Sequence, residues 1–126
     1  MEIERRDYPG LPQPGGAFHH SVRVGNLLFI AGSTARGTPA ETGDIAAQTE
    51  VILQKFQTIL EANGASLSNV VKVTSFVTDL REAPASGEVR RRYFAGAFPA
   101  STQVQVAALG APDIKIEIEA IAALPD

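Results

Sequence analysis

Polar and apolar residues alternate along two runs in the C-terminal quarter of the chain. They are Ser101-Thr102-Gln103-Val104-Gln105-Val106 and Asp113-Ile114-Lys115-Ile116-Glu117-Ile118-Glu119-Ala120-Ile121-Ala122. A strand with one buried face has this period of two. The alternation assigns Ser101, Gln103 and Gln105 to one orderly polar sheet face together with Lys115, Glu117 and Glu119. Upstream, Ser21-Val22-Arg23-Val24 alternates, Gly25-Asn26 is a two-residue turn signal, and Leu27 to Gly32 is strand-like, which predicts a β-hairpin. Val70 to Thr78 is rich in β-branched residues and predicts a long strand. Between these runs the period lengthens. Ile45, Ile52, Leu53, Phe56 and Leu60 recur at helical spacing, with Thr42 or Asp44 as cap and Asn63-Gly64 as stop. Asp79 to Pro84 predicts a turn, and Ser86 is a candidate cap for a second helix reaching about Ala95. Residues 33–43 read as a loop. Residues 1–20, with Pro9, Pro12 and Pro14, read as extended or looped, with Ala17-Phe18 available to dock.

The predicted order is β-β-α-β-α-β-β, an α+β fold in which two helices cover one face of a five-stranded mixed sheet. The other face carries apolar neighbours such as Val70 and Phe76 among its polar residues. Burial against further copies of the chain in a symmetric oligomer is the expectation. A length of 126 residues suits one domain spanning 1–126. The formal net charge of −3 offers little to nucleic acid. The one basic cluster, Arg90-Arg91-Arg92, splays around a helix and reads as solvated. Without cysteine there are no disulfides, thiolate nucleophiles or thiolate metal sites. Two adjacent histidines make a poor metal site, Gly15-Gly16 opens no helix, and no cofactor motif is present. No apolar run reaches membrane-spanning length and the N-terminus is not a signal peptide, so a cytoplasmic protein without membrane contact is expected.

Five segments in unbroken order carry a resemblance. They are Val24-Gly25-Asn26-Leu27-Leu28-Phe29-Ile30-Ala31-Gly32, Gln48 in the first helix, Asn69 to Leu80, Phe98-Pro99-Ala100-Ser101, and Ile116 to Ala122. Together they resemble the YjgF/Rid family of reactive-intermediate deaminases, also called L-PSP endoribonucleases. The resemblance implies a chorismate-mutase-like fold (bacillus type) and a homotrimer with a central barrel and three clefts at subunit interfaces. It implies, for the best-known branch, hydrolysis of enamines and imines released by pyridoxal-phosphate enzymes. In that branch an arginine after the Phe-Pro-Ala turn grips the substrate carboxylate, and a carboxylate on the last strand helps position water. Here Ser101 stands at the arginine's position, Phe18 stands where the family has tyrosine, and Ala31-Gly32-Ser33 replaces Ser-Gly-Gln. Glu117 is retained. A hydroxyl cannot reproduce a bidentate guanidinium grip. That argues against archetypal 2-aminoacrylate deamination and for a less anionic ligand.

Glu117 is the acid/base candidate, with a structural ion pair to Lys115 or to a charge from the next subunit as the plainer alternative. His19 and His20 precede the first strand on opposite sides of an extended segment, and one of them is a candidate auxiliary base; strand parity selects His20. Phe18 is expected to wall the pocket. Ser33, Ser101 and Thr102 are hydrogen-bonding candidates, and Arg92 could enter the cleft from the second helix. The expected function is general acid/base chemistry, deaminase-like or lyase/isomerase-like, on a small imine, enamine or carbonyl compound in an intersubunit cleft. The rival is a non-catalytic small-molecule-binding or chaperone-like trimer. A ribonuclease would need a basic cleft, which the charge balance does not suggest.

Overall fold

The computed structural model describes residues 1–126. Its strands are β1 (Ile3–Arg6), β2 (Ser21–Val24), β3 (Leu27–Ser33), β4 (Val70–Val77), β5 (Ala100–Gln105) and β6 (Ile116–Ala123). They form one six-stranded sheet in the order β1-β2-β3-β6-β4-β5. Only β4 and β5 run parallel, joined through a helical crossover. The helices are α1 (Ile45–Ala62) and α2 (Ala83–Phe94). The expected mixed sheet with two helices on one face is therefore the fold.

Hydrophobic spacing explains the layering. Ile45, Ile52, Leu53, Phe56, Ile59 and Leu60 line one side of α1, and all are buried. They pack in one cluster with Leu28 and Ile30 of β3, Val73 and Val77 of β4, and Ile116, Ile118, Ala120 and Ala122 of β6. Asp44, not Thr42, caps α1: its carboxylate accepts from the Ala47 N–H at 2.9 Å. Gly25 turns the hairpin with φ +62°, a conformation that suits glycine.

Three expectations need correction. The first strand, β1, is absent from the pattern reading. It is an edge strand held by backbone pairing to β2, from Ile3 opposite Val24 to Arg6 opposite Ser21, and it contains a single apolar residue. Without alternation, periodicity had nothing to detect. The segment docks through Tyr8, which is 3% exposed, more than through Ala17-Phe18. Second, Ser86 caps nothing. Helix α2 begins at Ala83, with Pro84 in its first turn, and Ser86 is buried inside it, sharing a hydrogen bond of 2.9 Å with Thr49 of α1.

The third correction concerns the polar face. Residues paired across a sheet point the same way. Val73 pairs with Ser101 and Ser75 with Gln103, so the polar side chains of β5 face the helices. Glu117 and Glu119 pair with Phe76 and Thr74 on the opposite, open face, beside Thr102 and Val104. As the sheet edge, β5 meets the helix layer only in part, and its alternation alone could not identify the covered side.

Candidate functional site

The site begins with an irregularity in β3. Ile30 pairs with Ala120, but the next pairing is Ser33 with Ile118, so β3 holds one residue more than β6 over this stretch. Such a bulge bends the strand and re-aims its side chains. The bulge places Gly32 against the Glu117 carboxylate so closely that a Cβ at position 32 would collide with it. A side chain there would displace the Glu117 carboxylate, so glycine leaves that group its present place.

Glu117, Gly32 and Ser33 line a cavity of about 620 Å³ with Phe18 and His20. Four of the residues expected at a site, Phe18, His20, Ser33 and Glu117, are thus brought together. Glu117 makes no ion pair. Lys115 is instead turned to Glu82, 3.7 Å away, which removes the plainer alternative of a Lys115–Glu117 bridge. Burial, and after it the neighbouring charge of Glu119, push the Glu117 carboxyl above its ordinary value. A carboxylate shifted upward, with its oxygens unclaimed, suits proton transfer.

His20 has a different role from the base expected of it. Its Nδ1 accepts from the Tyr8 N–H at 3.0 Å, and its Nε2 lies 2.8 Å from the Pro12 carbonyl. Nδ1 must be unprotonated to accept, so the proton sits on Nε2 and is donated to Pro12. Both nitrogens are engaged in tying the N-terminal segment to β2. His19 bonds Asp7 through Nδ1 at 3.2 Å and does not line the Glu117 cavity.

The remaining candidates lie elsewhere. Thr102 accepts from Lys72 Nζ at 2.9 Å on the open face. Arg92 is exposed, its guanidinium 6.0 Å from the Tyr93 ring centre. Ser101 lines a second cavity of about 270 Å³ on the helix side, with Phe94, Phe98 and Arg90. Within one chain, Ser101 and Glu117 stand on opposite faces of the sheet and cannot act on one molecule.

Two cations went unnoticed in the sequence. Lys55 lines the Glu117 cavity and donates to the Thr34 carbonyl at 2.6 Å; burial lowers its pKa. It lies three residues after buried Ile52 and four before buried Ile59, so its place beside the apolar stripe was readable from spacing. Arg36 lines the same cavity from the loop after β3, and its guanidinium donates to the Gly110 carbonyl at 3.3 Å. No spacing rule reaches a loop residue of this kind. No group of three or more histidine, cysteine or acidic side chains converges as a metal site would require.

The Endoribonuclease L-PSP family model matches residues 10–124. A RutC family protein of Pyrococcus horikoshii is 40% identical over 114 residues, covering 88% of this chain and 90% of the relative. A 2-iminobutanoate/2-iminopropanoate deaminase of Dermatophagoides farinae is 34% identical over 116 residues, 90% of each chain. Among solved structures, a putative endoribonuclease from Thermotoga maritima superposes with a TM-score of 0.88 at 36% identity, covering 100% of both chains.

Proposed function

The chain belongs to the Endoribonuclease L-PSP family, the YjgF/Rid family, and from that premise we propose that it hydrolyses a small imine or its enamine tautomer by general acid/base catalysis at Glu117. The observation that carries the reading is the carboxylate itself, half-buried, making no ion pair, and placed against Gly32 in a concave site. The mite relative named as an iminobutanoate/iminopropanoate deaminase suggests the substrate class. Glu117 takes a proton from a water molecule as the oxygen bonds to the imine carbon and the C=N π electrons move to nitrogen. The nitrogen takes that proton from Glu117, giving the neutral carbinolamine. Glu117 then accepts the carbinolamine's hydroxyl proton and delivers it to nitrogen, so that as the oxygen closes the C=O bond the C–N bond breaks and ammonia and a ketone leave. Phe18 and the Ser33 hydroxyl bound the ligand, while His20 positions the loop at Pro12. The assembly in this reading is a homotrimer, supported by exposed apolar residues on the open sheet face.

The test generates 2-iminopropanoate in situ with an amino-acid oxidase and follows its disappearance. Glu117→Gln should lower kcat at least about 100-fold, the lower end for loss of an acid/base group. Full activity in that variant would sink the assignment. No acceleration by the unaltered protein, with any small imine, would favour a binding module.

A further inference from the structure

The helix-side cavity takes no part in the chemistry assigned to Glu117, yet it is lined by Arg90, one of the two residues with an unsatisfied buried side-chain donor. Arg90 lies four residues after Ser86 and four before Phe94, both buried, so its stem runs inward. Arg92 is exposed, and Arg91, also exposed, lines the cavity but pairs with Glu88 at 3.8 Å. The Arg90 Nη1 reaches the buried Ser75 hydroxyl at 3.4 Å, the outer limit for a hydrogen bond. Its Nε is buried without any partner, and no carboxylate forms an ion pair with it. Gln103, which pairs with Ser75 across β4 and β5, has a buried amide nitrogen that is likewise unpartnered. Two unmet donors therefore converge on one strip of sheet.

Unpaired buried donors and an uncompensated cation are costly, and proteins keep few of them without a use. Burial already pulls the Arg90 pKa down. Around Arg90 the cavity offers the Ser101 hydroxyl and apolar walls from Val73, Phe94 and Phe98 in about 270 Å³, with Gln103 behind it across Ser75 and not on the lining. A planar anion with a short hydrocarbon tail complements that set: the guanidinium fork takes the charge and the aromatic walls take the tail.

We propose that Arg90, assisted by Ser101, is the carboxylate-binding group of this protein, so that the guanidinium comes from helix α2 and not from the strand. The ligand is then the carboxylate of a small 2-imino acid or its 2-oxo acid product, which in this respect rests on the hydrolase reading above. It replaces the less anionic ligand expected from Ser101 alone. Because Arg90 and Glu117 occupy opposite faces of one sheet, a complete site takes Arg90 from one copy of the chain and Glu117 from another.

The experiment titrates the full-length, arginine-¹⁵N-labelled protein with pyruvate and follows the Arg90 Nε–H resonance, assigned through its backbone in the unaltered protein. Methyl pyruvate, which lacks the charge, is the control. Pyruvate should move that resonance and methyl pyruvate should not. Arg90→Lys keeps the charge but loses the fork, and should weaken pyruvate binding about 10-fold or more. A resonance that ignores pyruvate at saturation, equal responses to acid and ester, or an unchanged pyruvate Kd in Arg90→Lys each overturns the proposal. If Arg90→Lys fails to fold, the acid-against-ester comparison in the unaltered protein decides. Glu117→Gln separates the two readings. Pyruvate seated on Arg90 without imine turnover in any form upholds the carboxylate site and rejects the hydrolase, whereas turnover with a silent Arg90 does the reverse.

Discussion

Glu117 shows what one residue's surroundings do. Its charge is held out of water on the open sheet face beside Glu119, with Lys115 committed to Glu82. The folded protein therefore binds this proton more tightly than the unfolded chain. Where Glu117 is ionised it opposes folding, and the cost is relieved as pH falls through the raised pKa. We predict that Glu117→Gln raises Tm at pH 7 by roughly 1–2 °C, the shift a few tenths of a kcal/mol gives in a domain this size. The gain should vanish by about pH 3, well below the ordinary glutamate value of about 4.3, where the carboxyl is neutral in both states. Differential scanning fluorimetry at the two pH values checks this; an equal shift at both would mean that charge is not the cause. The same sign governs activity, because a base held above its ordinary value loses function on the acid side at a pH above 4.5. At this scale alternation put Glu117 on a polar face beside Glu119, and the family resemblance singled it out. It could not distinguish a free histidine from one whose two nitrogens are spent on Tyr8 and Pro12.

Elements are joined by side chains that spacing does not reveal. Gln48, fully buried in α1, shares its two amide hydrogens among the carbonyls of Glu41, Gly43 and Asp113, at 3.2, 3.1 and 2.8 Å. Its carbonyl accepts from the Lys115 N–H at 2.9 Å. One amide thereby fastens the turn before α1 to the start of β6, the strand that presents Glu117. Replacing it with an apolar side chain of similar size strands several buried backbone groups at once. Gln48→Leu should cost about 2–3 kcal/mol, read as a lower urea midpoint at unchanged m. A loss under about 0.5 kcal/mol would show that water or local rearrangement satisfies those groups. The strands with apolar alternation and the two helices were legible. Strand β1 was not, because backbone pairing to β2 holds it in place of side-chain burial.

The whole molecule leaves one sheet face without a layer over it. Leu27 and Phe29 of β3 and Val104 of β5 are each 40% exposed there. Apolar groups spread over such a face are the mark of a surface that another chain covers. The proposed trimer would have a mass of about 40 kDa, from three chains of 13.3 kDa. Sedimentation equilibrium should give that mass, and Phe29→Asp should shift the protein toward the single-chain mass by placing a charge in the contact. A monomeric unaltered protein would remove both the trimer and the two-chain site proposed for Arg90 and Glu117.

Local chemistry determined much of this protein without coordinates. Side-chain period set which segments became helix or the central strands, glycine and asparagine set the hairpin turn and the end of α1, and the order of motifs placed the chain near its family. Those are properties of neighbours along the chain, within a few residues of one another. Tertiary structure alone decided that β5 turns its polar side toward the helices, because an edge strand's facing depends on register with β4 and not on its own alternation. It also decided which of three consecutive arginines points inward, since that depends on where Ser86 and Phe94 meet the core. Sidedness is a relation between elements distant in sequence, and a one-dimensional pattern carries the period of burial without the direction.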